Sequence, residues 1–126
     1  MFGNPAEERA ALESTYEDTA SVYREASVTG ENQITKTVPQ PVVLDTLCAL
    51  SYVGDSSRQR EAHLLDYDAV IFAAPELSIL PGDTISLKRF GRDDPNSRII
   101  LRFEVIGIPP VYATHQEIRV KGCGLS

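Results

Sequence analysis

Near its C-terminus the chain reads RIILRFEVIG, and this two-residue alternation constrains the fold more than any other stretch. Ile99, Leu101, Phe103 and Val105 fall on one face, while Arg98, Arg102 and Glu104 share the other with Ile100 and Ile106. Side chains alternate across a strand, so such a run places one face on a core and the other towards water. The same period returns after Pro109 and Pro110: Gln116, Ile118 and Val120 alternate with His115, Glu117, Arg119 and Lys121. Proline cannot donate a ladder hydrogen bond, so the pair ends one strand and turns the chain before the next.

Earlier segments extend the pattern. TASVYREASVT, from Thr19, is rich in β-formers and carries no helical stripe; GENQ, at 30–33, is a turn. Pro39 and Pro41 are expected to bound the next element, VVLDTLCALSYV. There Leu44, Thr46, Cys48, Leu50 and Tyr52 share one face, with Asp45, Leu47, Ala49 and Ser51 opposite. Both faces are largely apolar, so a strand covered on both sides is expected. AVIFAAPE is a further short strand, LPGD has Pro and Gly where a type II turn wants them, and TISLKRF follows with Ile85 and Leu87 on one face. At the start, Asn4 is placed to cap a helix over 5–14, with Pro5 in its first turn and Glu7 and Glu8 near the positive end of its dipole. That helix has a thin apolar face and needs its own barrel or a neighbouring subunit to pack on.

The expectation is an all-β fold, a small barrel or sandwich of about six strands with a short N-terminal α-helix. It forms a single domain over 1–126: helix or arm at 1–18, β core at 19–121, and a tail at 122–126. No internal repeat or linker divides it. The longest polar interruption, GDSSRQREAHLLDYD at 54–68, reads as a mobile loop with room for a helical turn around Arg60 to Leu65.

Charge and composition narrow the function. A net charge of −6 makes the chain a poor non-specific ligand for phosphate backbones, whose affinity comes from Lys and Arg. Its nine aromatic residues, five Tyr and four Phe with no Trp, are few for a base-stacking surface. Glu7, Glu8, Glu13, Glu17 and Asp18 are foreign to an ordinary signal peptide, and no apolar run approaches a membrane span, so no membrane is expected as a partner. Cys48 and Cys123 form no CxxC and are expected as two free thiols.

Chemistry is sparsely signalled. His115 and Glu117 share a strand face, which suits two metal ligands, an acid–base pair, or an ordinary ladder of opposite charges. No nucleophile or third ligand is placed beside them, and the ladder is preferred. His63, His115, Cys48 and Cys123 have no zinc-site spacing, and Asp66, Asp68, Asp93 and Asp94 sit where aspartates bond their own backbone. Gly82 and Gly91 are isolated turn glycines, not a phosphate loop. No catalytic residue, metal or cofactor is therefore expected, and the chain is not expected to be an enzyme.

Four motifs, in order, make the sequence resemble the small head-closure (head–tail joining, minor capsid) proteins of long-tailed bacteriophages. They are Val22, Tyr23, Arg24 and Glu25; Cys48, Leu50, Ser51 and Tyr52; Ile79, Pro81, Gly82, Asp83, Ile85 and Leu87; and Pro110, Tyr112, Thr114, His115, Gln116, Glu117 and Ile118. The resemblance spans 16–121, with the last motif the most specific; Ala49 stands where these proteins often have Arg. It implies a structural virion protein with a β-barrel core, assembled in the bacterial host cytoplasm and located at the head–tail interface. It further implies a ring of about a dozen copies that closes the DNA channel after packaging. Its partners would be other copies of itself, the portal and adaptor ring above, and tail-terminator or tail proteins below. DNA would pass through the lumen unbound. On this view His115, Glu117, Arg119 and Lys121 form a ring interface, and the loop with Arg58, Gln59, Arg60 and Glu61 faces an adjacent ring or the channel. The alternatives are a monomeric β-barrel module for an oligosaccharide or nucleic-acid end, and a metal-dependent hydrolase using His63 and His115.

Overall fold

The structure is a computed structural model that describes residues 4–31, 33–53 and 67–123. The polar segment at 54–66, with Arg58, Gln59, Arg60, Glu61 and His63, lies outside the described residues. Helix α1 spans Pro5–Glu13, followed by β1 (Asp18–Thr29), β2 (Thr35–Tyr52), β3 (Ala69–Ala73), β4 (Thr84–Lys88), β5 (Ile100–Val105) and β6 (Gln116–Gly122). The strands close an antiparallel barrel in the order β1-β2-β3-β6-β5-β4. The all-β expectation holds, as does the helix: Asn4 Oδ1 accepts from the Glu7 N–H at 2.8 Å, satisfying a donor the first turn cannot.

Alternation fills the barrel. Val22, Ile71, Ile85, Leu87, Phe103, Val105, Ile118 and Val120 point inward and are buried. Cys48 lies among them as a free thiol, and its burial pushes the thiol pKa well above the ordinary value. The LPGD turn is formed as expected. Gly82 has φ of +89°, the left-handed region that the third residue of a type II turn occupies, and the Asp83 N–H donates to Leu80 O at 3.1 Å.

Strand β2 corrects the expectation twice. Pro39 and Pro41 do not bound it; they lie inside it, paired with Glu25 and Tyr23. β4 pairs with β1 only over Thr19–Tyr23, and β3 pairs with β2 only over Cys48–Tyr52. Beyond these, residues 24–29 and 35–41 form a two-stranded arm whose outer edges pair with no other strand among the described residues, so a missing N–H there breaks no ladder bond among them. Nor is the strand covered on both sides: Leu44 is 62% exposed and Leu47 is 41% exposed. Two irregularities explain this. Between the pairs Ala20↔Thr46 and Val22↔Val43, and again before Tyr23↔Pro41, β2 carries an extra residue. Asp45 takes a left-handed φ of 49° in the first bulge, and the alternation slips so that Val42 and Val43 both pack on the core while Leu44 turns out.

Helix α1 buries none of its residues. Arg9 joins it to the β3–β4 connection through Glu76 at 2.6 Å, and Arg92 Nη1 donates to the carbonyls of Ser14 and Tyr16 at 2.9 and 2.7 Å. Among the described residues no helix is long and apolar enough to cross a membrane.

Candidate functional site

Because the strands alternate in direction, the β1–β2, β3–β4 and β5–β6 connections leave the barrel at one rim. A buried charge and a buried amide tie them together. Asp83, 2% exposed, accepts from Arg24 Nε at 2.9 Å and Nη2 at 2.8 Å, and from the Leu80 N–H at 2.9 Å. Arg24 also donates to Ser78 O at 3.0 Å, so the base of the β1–β2 arm is clamped to the β3–β4 connection. Gln116, 1% exposed, donates from Nε2 to Ala74 O at 2.8 Å and Leu77 O at 2.9 Å, holding the same connection to β6. A third buried group, Asp18, accepts from Leu50 N, Phe90 N and Arg89 Nη1, binding β1 to β2 and to the β4–β5 turn.

These contacts assign a use to residues that the sequence presented only as motifs. Arg24 belongs to the first, Cys48 to the second, Asp83 to the third and Gln116 to the last. Buried polar groups are costly unless bonded; Asp83 and Gln116 are bonded, and Arg24 and Gln116 both hold the β3–β4 connection, while Cys48 packs in the core. Their mutual partnership had no sequence signal beyond an Arg and an Asp in separate strand-and-turn motifs, 59 positions apart.

His115 and Glu117 are brought together, with Nε2 and Oε2 3.0 Å apart. Thr114 Oγ1 lies 2.9 Å from His115 Nδ1, the direction of donation following the imidazole tautomer. The ring stacks on Tyr112, with centroids 5.0 Å apart, and meets Phe72 at 5.8 Å. Such a hydroxyl–imidazole–carboxylate chain could in principle move a proton. Its surroundings favour a brace: the Tyr112 N–H donates to His115 O at 2.7 Å and the Glu117 N–H to Pro110 O at 3.0 Å, closing the β5–β6 connection on itself. Among the described residues no group of three or more His, Cys, Asp or Glu is arranged to hold a metal ion.

The other two residues of that face behave differently. Arg119 is exposed, with its guanidinium 5.6 Å from the Tyr67 ring centre, and Lys121 is exposed opposite Glu104. The expected row of four thus divides into a half-buried brace, His115 and Glu117, and a basic pair, Arg119 and Lys121.

Exposed apolar side chains mark two places that the alternation did not reveal. The braced β5–β6 connection carries Ile108, Val111 and Tyr112, which are 80%, 60% and 49% exposed. The bulged part of β2 carries Leu44 and Leu47, which line an open groove of about 430 Å³ beside α1. Tyr16 forms part of its wall; among the described residues its buried hydroxyl has no hydrogen-bond partner, and burial raises its pKa.

No family model and no curated protein matches the sequence. Among solved structures, the phage-like element PBSX protein xkdH from Bacillus subtilis aligns over 82% of this chain and 91% of that one, at 11% identity and a TM-score of 0.45. That superposition is too loose to assign a role.

Proposed function

We propose that the chain is a structural protein of a tailed-bacteriophage particle. It forms a ring of about a dozen copies in the head-to-tail connector, beneath the portal and its adaptor. The ring closes the DNA channel after packaging and presents the surface to which the tail attaches. One observation carries this reading: the segments that resemble head-closure proteins converge in one framework. Arg24 clamps Asp83, Gln116 clamps the β3–β4 connection, and Cys48 sits in the core, paired with Ala73 at the end of β3 that leads into that connection. The motifs are therefore the parts that define this barrel and its rim, which is what a shared scaffold requires.

Electrostatics agree. A ring of subunits each carrying −6 offers DNA few anchors and lets it slide. In this reading channel closure is mechanical, through a segment at the rim. The test is removal of the gene from the phage that encodes it. Heads should fill with DNA, fail to join tails and lose their genome, and the protein supplied in trans should restore joining. Normal tailed particles made without the protein would overturn the proposal.

A further inference from the structure

We draw no further inference here: the strongest candidate, the apolar groove that Val28, Ile34 and Val38 line on the β1–β2 arm, carries nothing because nothing in the structure shows what covers it.

Discussion

Removing the Arg24 guanidinium tests whether the rim framework holds the barrel together. Asp83 is 2% exposed and has three donors, two of them on Arg24. Arg24→Met keeps much of the stem and leaves a buried carboxylate with only the Leu80 N–H. Breaking a fully buried pair costs about 3–5 kcal/mol, whereas an exposed pair is worth about 0–1 kcal/mol. Arg24 is itself 35% exposed, so water reaches one side of the pair, and a loss of about 2–3 kcal/mol is expected. Asp83→Asn keeps the shape and leaves the guanidinium access to water; it should cost about 1–2 kcal/mol. The double variant has no buried charge to strand. It should be no worse than Arg24→Met alone, giving a coupling of about 1.5 kcal/mol. In urea, with a slope of about 2 kcal/mol/M for a domain of this size, Arg24→Met lowers the midpoint by about 1 M. A wild-type midpoint for Arg24→Met, or a coupling below about 0.5 kcal/mol, would refute the reasoning.

Other expectations follow from single contacts. Gln116→Leu strands the Ala74 and Leu77 carbonyls and should cost about 1–3 kcal/mol by urea melting, with hydrogen exchange at 74–79 rising more than at β4. A maleimide added to native protein should label Cys123 and spare the core thiol Cys48 until denaturant is added; rapid native labelling of both would contradict the barrel. Gly91→Ala should lower the melting temperature, because a Cβ there would collide with the Thr19 side chain; an unchanged melting temperature would mean that the β4–β5 turn shifts freely. The hydrogen bond from Arg9 lowers the Glu76 pKa, so its contribution is present above the unfolded carboxylate range and lost as pH falls through the folded value. Protection factors in α1, after correction for the intrinsic pH dependence of amide exchange, should therefore fall on acidification, and Glu76→Gln should remove that fall.

Strands β4, β5 and β6 were legible because burial writes a period of two directly into the residues, although Ile99, on the expected core face, precedes β5 and is 52% exposed. The cap of α1 and the Pro81–Gly82 turn were legible because their chemistry is local. β2 was not. Its prolines read as boundaries only if every strand edge is paired, and here they lie on an edge that no other strand pairs with among the described residues. Its bulges at 42–45 shift the side-chain register, so Leu44 was assigned to the face of Cys48 yet turns out to solvent. Likewise His115 and Glu117 were correctly placed on one face. Their bracing role depends on Tyr112 and Pro110, which come near only through the folded connection. The Arg24–Asp83 clamp was hidden for the same reason: nothing local relates a residue of β1 to a turn 59 positions away.

The central claim is a ring of this barrel at the junction of head and tail, and cryo-electron microscopy of the neck of the encoding phage tests it most directly. A ring of six-stranded barrels is expected directly below the portal and adaptor. A neck reconstruction with no density for this barrel, together with the protein's absence from the mass spectrum of purified particles, would contradict it.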